Sequence, residues 1–389
     1  MSRVEFYRHS LTEEDIAAVT ETLRSVFLTT GPRAGAFEEA FARYLGVGHA
    51  VSLSSCTSAL FLCLKALDIG PGDEVITTPM TFIATANAIL HTGATPVFVD
   101  VEPDTGNLDP RLVERAITPR TRAIIPVHLY GLMADVRALQ EICRRRRLLM
   151  IEDAAHATEA IRDGARPGHL GDAACFSFYA TKNLTCGEGG AIATNDAALA
   201  ESVRRLRSHG MSKEAAGRYT SRYQHWDMVS LGYKANLSDI NAALLVGQLG
   251  RLDSQLARRE AIASRYEQAF ARMRGIGFPI VRQGATSARH LFTIWVPPSH
   301  RDRMLGELQD RGIGVAVNYR AVHLLTYYQE RLDLPRGSFP CAERIGDSTL
   351  TLPLYPSMSD EAVDQVIAAV GDAIASWSAQ PGPLQAANA

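Results

Sequence analysis

The sequence predicts an α/β protein built on a mostly parallel sheet, with a smaller α+β unit following it. Two patterns carry that expectation. Between His49 and Thr194, seven short β-branched or apolar runs alternate with helical stretches, the signature of βαβ crossovers. Beyond Ser238 the alternation stops, and a long helical pattern leads into a mixture of strands and helices. Size agrees, since 389 residues with 46% hydrophobic and 21% charged content suit one large α/β domain plus a smaller one.

The elements follow in order. Thr12 to Asp15 has the form of a capping box, with Asp in place of Glu, and opens an amphipathic helix to about Val26. Gly31-Pro32 separates it from a second helix around Phe37–Leu45. The strands are expected at His49–Leu53, Glu74–Thr77, Val97–Asp100, Ala123–Val127, Leu148–Asp153, Ala174–Phe178 and Ala191–Thr194. A helix bridging the two domains is read from Ser238 toward Met273, with Leu244, Leu245, Leu249, Leu252 and Leu256 as its buried stripe. Then come a strand His290–Val296, a helix Arg301–Arg311, a strand Ile313–Tyr319 and a helix Ser359–Trp377. The expected division is a large domain over 1–250, a small one over 251–380, and a disordered tail over 381–389.

Composition narrows the function classes. Forty Lys+Arg against 42 Asp+Glu leave a net charge of −2, which argues against a chain built to coat nucleic acid or an anionic membrane. Arg144–Arg147, at a helix end, reads as a solvated face rather than a nucleic-acid patch. The opening MSRVEFYRHSLTEED lacks the apolar core of a signal peptide and no run of about 18 apolar residues occurs, so the expectation is a cytoplasmic protein with no membrane span. Cys56, Cys63, Cys143, Cys175, Cys186 and Cys341 form no Cys-x-x-Cys pair and read as reduced packing residues, with no metal site expected. The cations are nearly all arginine, lysine standing only at 65, 182, 213 and 234, so a reactive amine has four candidates.

Ligands of open α/β sheets collect beyond the carboxyl ends of the strands, which singles out four clusters. Ser54-Ser55-Cys56-Thr57 opens a helix and offers an anion site suited to phosphate, unless it is a plain N-cap. Phe82 brings an aromatic ring to the same edge, with core packing as the ordinary alternative. Asp153, in Glu152-Asp153-Ala154-Ala155-His156, ends a strand that should be buried, where a carboxylate needs a cation or hydrogen bonds. Lys182 is the only lysine just past a strand, and the glycines of Cys186–Gly190 precede a strand without dinucleotide spacing, reading as a tight turn.

One cofactor uses all four. Pyridoxal 5′-phosphate needs an amine for imine formation, an anion site, an acid facing its ring nitrogen and a flat apolar partner. Lys182, Ser54–Thr57 with Ser177, Asp153 and Phe82 meet those needs in turn.

The chain also resembles the DegT/DnrJ/EryC1/StrS family of sugar aminotransferases from about Phe6 to Ala369. The matching segments are SSCTSAL, GPGDEVITTPMTFIATANAI, GATPVFVDVEPDT, IIPVHLYG, IEDAAH, GDAACFSFYATKN, GEGGAIATND and GYKANLSDINAALL. The resemblance implies the aspartate-aminotransferase fold (fold type I), with a seven-stranded sheet, and a homodimer with shared active sites. It makes Lys182 the Schiff-base lysine, Asp153 the partner of the pyridine nitrogen, Phe82 the stacking residue and His156 a neighbour of the cofactor hydroxyl. Cys56, Thr57 and Ser177 match phosphate contacts, Cys56 through its backbone because the family more often has glycine there. Asn236 matches a phosphate contact from the second subunit, and Tyr319 and His323 match the segment that reaches the nucleotide-linked sugar.

GYKANLSDINAA and IGVAVNYRAVHLLTYYQERL look most like the branch aminating 4-keto sugar nucleotides, with glutamate or glutamine as donor. That branch often carries Trp at the position of Phe82, and 3-keto amination stays open. The sugar dehydratases of the same fold resemble this chain less, because they replace the lysine by histidine. A cofactor-binding regulator without turnover is the remaining alternative. Trp226 is read equally as a lining of the substrate entrance or as loop packing.

Overall fold

The computed structural model describes residues 3–212 and 225–378; the expected disordered tail and Lys213 lie outside the described residues. Seven strands form one sheet: β1 (His49–Leu53), β2 (Glu74–Thr77), β3 (Thr95–Phe98), β4 (Thr121–Ile124), β5 (Leu149–Asp153), β7 (Ala173–Ser177) and β8 (Gly190–Thr194). A two-residue strand, β6 (Ile161–Arg162), pairs outside this sheet with β9 (Ala285–Thr286). The order is β1-β8-β7-β5-β4-β2-β3, in which only β8 runs against its neighbours. Most strands are buried on both faces and so read as apolar runs rather than alternating ones.

Register sets the position of the site. Asp153 pairs with Cys175, Ser177 with Gly190, and Gly190 with Leu53, so the ends of β5, β7 and β1 share one edge of the sheet. Apolar clusters cover both faces. On one, the edge-to-face rings of Phe37, Phe41, Phe176 and Phe178 pack with centroids 5.1–5.4 Å apart.

Several expected bounds shift by a few residues: the first helix is Glu13–Leu23, the second Pro32–Leu45, and the third and fourth strands begin two residues early. Larger differences lie in the C-terminal half. The long helix is two, Asp239–Leu249 and Leu252–Phe270, because Gly247 and Gly250 weaken the continuation and Arg251 turns aside to pair with Asp15. Ile313–Tyr319 is not a strand; only Ile313 and Ala316 form bridges, to Val4 and Thr351, and neither neighbour runs alongside for more than one residue. The strand that does pair with β10 (Phe292–Trp295) is β11 (Thr349–Leu352), preceded by unforeseen helices Thr326–Leu332 and Pro340–Ser348. Val4 joins the C-terminal core with Tyr266, Phe270 and Ile294, so the first residues leave the expected 1–250 unit. No described helix is long and apolar enough to cross a membrane, and among the described residues no group of three His, Cys, Asp or Glu is placed to hold a metal.

Candidate active site

Asp153 is the last residue of β5, held by its own N–H to Pro126 O at 2.9 Å and its carbonyl to the His128 N–H at 3.0 Å. Its carboxylate is almost fully enclosed. Thr85 donates to Oδ2 at 2.7 Å and the Ala155 N–H to Oδ1 at 3.1 Å. Burial still raises its pKa above the ordinary carboxylate value, against the pull of those donors and of the Lys182 amine.

Lys182 stands on the loop after β7. That loop folds back on itself, with Phe178 N–H bonded to Gly189 O, Cys186 N–H to Phe178 O and Lys182 N–H to Tyr179 O, all at 2.8–3.0 Å. Burial lowers the pKa of the amine to about 8, while Cys56 and Asp153 act in the opposite direction. The other described lysines are differently placed: Lys65 ends the helix Cys56–Ala66, and Lys234 is exposed and donates to Asn236 Oδ1.

The helix Cys56–Ala66 starts beside these groups. Ser55 caps it by accepting from the Ser58 N–H at 3.0 Å, which leaves the first-turn N–H groups of Cys56 and Thr57 without intrahelical acceptors. Cys56 is more than a backbone contact, because its Sγ approaches Asp153 Oδ1 at 4.0 Å; burial keeps the thiol protonated, its pKa well above the ordinary value. Gly190 lies so close that a Cβ would stand 2.3 Å from the Ser55 carbonyl carbon and 2.5 Å from Cys56 N. Ser177, paired with Gly190, is buried at the same edge.

Phe82 is 54% exposed, which excludes core packing, and its ring lies 5.7 Å from that of Tyr319. His156 accepts the Tyr130 N–H on Nδ1 at 3.3 Å, so in its neutral form Nε2 carries the proton and donates to the Tyr319 hydroxyl oxygen at 3.2 Å. Burial, reinforced by Lys182, lowers the pKa of His156 well below the ordinary value. The Tyr319 and His156 rings stack at 6.1 Å and 15°.

One expected site residue lies elsewhere. His323 is fully enclosed, its Nε2 3.1 Å from Glu343 Oε1 and its ring against Phe339, so it presents no surface to a substrate; the short helical turn Val322–Leu324 carries it into the protein. Asn236, expected to serve the second subunit's site, is bridged to Leu53 at the end of β1, and its amide donates to Thr30 at 2.6 Å and Thr29 at 3.2 Å. Trp226 is 49% exposed.

Sequence reasoning missed Thr85, Tyr130, Asn183 and His290. Thr85 is 68 residues from its carboxylate, and His290 is 108 residues from Lys182, which it faces at 3.4 Å. A lone histidine at the start of an expected strand was the only available signal for the second.

The donor set suits pyridoxal phosphate. A half-buried amine of lowered proton affinity, a buried carboxylate, an accessible aromatic face and a helix N-terminus approached by a side-chain-free residue stand on one edge.

Comparisons with known proteins agree. The profile of the DegT/DnrJ/EryC1/StrS aminotransferase family matches residues 9–371. The chain is 47% identical over 368 residues to the spore coat polysaccharide biosynthesis protein SpsC of Bacillus subtilis, covering 93% of this chain and 95% of that one. Among solved structures, S. venezuelae DesV shares 40% identity with a TM-score of 0.89, over 98% of this chain and 100% of that one. The PLP form of Spr1654 from Streptococcus pneumoniae shares 33% with a TM-score of 0.90, over 96% and 99%.

Proposed function

Because the chain belongs to the DegT/DnrJ/EryC1/StrS aminotransferase family and is a pyridoxal-phosphate-dependent sugar aminotransferase, we propose that its acceptor is a nucleotide-linked keto-sugar, aminated at C4, with glutamate or glutamine as donor. The observation that carries the reading is the convergence of the Lys182 amine and the Asp153 carboxylate beside an accessible Phe82. The preference for C4 rests on the resemblance of GYKANLSDINAA and IGVAVNYRAVHLLTYYQERL to the 4-keto branch. The name of SpsC supports a role in making a polysaccharide sugar.

When bound, pyridoxal phosphate supplies an electron sink that makes the hydrogen next to the amino nitrogen removable. The residues of this chain do the rest. Lys182 would hold the cofactor through its amine and carry a proton when free; a pKa of about 8 leaves a useful share of it neutral at physiological pH. Asp153, its two oxygens fixed by Thr85 and the Ala155 N–H, would face the cofactor's ring nitrogen and, as a carboxylate, hold a proton there. Cys56, Thr57 and Ser177 would hold the phosphate, Phe82 would cover the ring, and His156, aligned by Tyr130, would serve the cofactor hydroxyl. Tyr319 would border the sugar: its oxygen accepts from His156, which leaves its own O–H available as a donor.

The proposal includes a homodimer in which Asn236 completes the partner's phosphate site. Val26 (74% exposed) and Leu231 (75%), with Met228 and Val229, lie on two segments joined by the Asn236 bonds to Thr29 and Thr30, an apolar surface suited to a second copy. Six free thiols suit a reducing cytoplasm. A panel of 4-keto and 3-keto sugar nucleotides, offered to the enzyme's pyridoxamine form and scored by recovery of the cofactor's original absorbance, tests the substrate; recovery with 3-keto substrates alone would overturn the C4 assignment.

A further inference from the structure

Behind Lys182 stands a chain of polar side chains, the half-buried Asn183 and the buried His290, Glu159 and Arg259, that the family roles do not use. Lys182 Nζ faces His290 Nε2 at 3.4 Å, and His290 Nδ1 faces Asn183 Oδ1 at 3.3 Å. The Asn183 amide nitrogen donates to Glu159 Oε2 at 3.1 Å and to Ala288 O at 2.9 Å. Glu159 in turn is paired with Arg259, whose Nε donates to the same Ala288 carbonyl at 3.3 Å. Glu159 and Arg259 are almost wholly enclosed, so each holds its charge through the other.

The direction of every bond in this chain is determined. A carboxylate and a carbonyl only accept, so both must take hydrogens from the Asn183 nitrogen, and its oxygen is left for His290. That oxygen only accepts, so His290 Nδ1 carries the proton. In a neutral imidazole Nε2 is then a bare acceptor, and it is the atom presented to Lys182. Burial and the neighbouring Lys182, His156 and Arg259 all disfavour a charged His290. His156, whose ring centroid is only 4.5 Å away, is held in the opposite tautomer by the Tyr130 N–H.

We propose that His290 is a positioning residue for Lys182, accepting a hydrogen bond from its amine on Nε2, and that Asn183, backed by Glu159 and Arg259, fixes the tautomer that makes this possible. The relay joins the loop after β7 to the helix Leu252–Phe270 and the segment before β10, so the direction of the amine depends on how these parts pack. An acceptor at this place favours the ammonium over the neutral amine, because a charge-assisted hydrogen bond is the stronger one. His290 therefore moderates the loss of proton affinity that burial causes. The other groups facing the amine are Asp153, Cys56 and His156, with Tyr319 behind His156.

The inference rests on Lys182 being the reactive amine, which borohydride reduction of the cofactor-loaded full chain tests separately by where the label falls. For the inference itself, the cofactor-free full chain is trace-labelled with acetic anhydride across pH, and Lys182 acetylation is followed by peptide mass spectrometry. The wild type should show a midpoint near about 8. His290→Phe should lower it by about one pH unit, a tenfold weaker proton affinity. Asn183→Leu should act in the same direction although it leaves His290 in place, because the ring is freed to turn Nε2–H toward the amine. His290→Gln, whose amide can keep a donor toward Asn183 and an oxygen toward Lys182, should stay within a few tenths of a unit of the wild type. Wild-type midpoints in both His290→Phe and Asn183→Leu would overturn the proposal. Nitrogen NMR of the wild-type protein is an independent check that needs no variant: a protonated Nδ1 on His290 supports the assignment, and a protonated Nε2 overturns it.

Discussion

A carboxylate in apolar surroundings survives as an anion only if its environment keeps offering positive charge and hydrogen-bond donors, and Asp153 shows how narrow that margin is. Burial pushes its pKa up, while Thr85, the Ala155 N–H and the Lys182 amine pull it down. Asp153→Asn removes the charge that would hold a ring proton. Losing one charge-assisted hydrogen bond of about 1.5–3 kcal/mol should slow the half-reaction with amino donor by roughly one to two powers of ten, measured as the single-turnover absorbance change. Thr85→Val keeps the shape and removes only the 2.7 Å bond to Oδ2, so a smaller loss of about tenfold is expected, with the cofactor still retained. The same burial that raises Asp153 lowers Lys182 to about 8, and reduction with borohydride should place the label on Lys182. A label on Lys65 or Lys234 would remove both assignments together.

At the level of elements, the site is made where the helix Cys56–Ala66 begins against β8. Gly190 lets the two backbones touch, its missing Cβ being the space occupied by Ser55 and Cys56. Neither neighbour is a flexible side-chain end, so Gly190→Ala must displace backbone. The variant should lose about 1–3 kcal/mol of stability and release cofactor during gel filtration, whereas full retention would show that the helix start can shift without harm to the anion site. Ser55→Ala, by contrast, removes a cap without moving backbone and should cost about 1 kcal/mol, read as a lowered denaturation midpoint with the cofactor still bound.

For the molecule as a whole, the proposed shared site makes a prediction no single-chain property can mimic. Asn236→Ala should weaken cofactor retention by about ten- to a hundredfold if its amide completes a phosphate site with a hydrogen bond of about 1.5–3 kcal/mol. If Asn236 and Lys182 serve one site from different chains, mixing inactive Lys182→Ala with Asn236→Ala subunits forms heterodimers with one doubly defective site and one intact site. Recovered activity supports sharing; a fully active monomer in dilute sedimentation would refute it. Leu231→Glu and Val26→Glu, placed on the exposed apolar segments, should push the same equilibrium toward monomer.

How far such features can be read without coordinates depends on whether their causes are local. The seven-stranded sheet was legible because each buried parallel strand is an apolar run with a helix on either side, and the positions of Asp153 and Lys182 on its edge were legible because each stands at or just past the end of such a run. In the C-terminal half the apolar run Ile313–Tyr319 is no strand and Thr349–Leu352 is one, since an apolar run becomes a strand only if another strand lies alongside it, and Thr349–Leu352 is the one that lies beside β10. The enclosure of His323 depended likewise on a packing partner, Phe339, that spacing alone does not reveal. What sequence alone determined, then, is the sheet and the places of Lys182 and Asp153 on its edge, whose signals span a few neighbouring residues. Only the tertiary structure decided what surrounds them: Thr85 beneath Asp153 and His290 beside Lys182 meet across 68 and 108 residues, and a hydrogen bond depends on distance in space rather than separation along the chain.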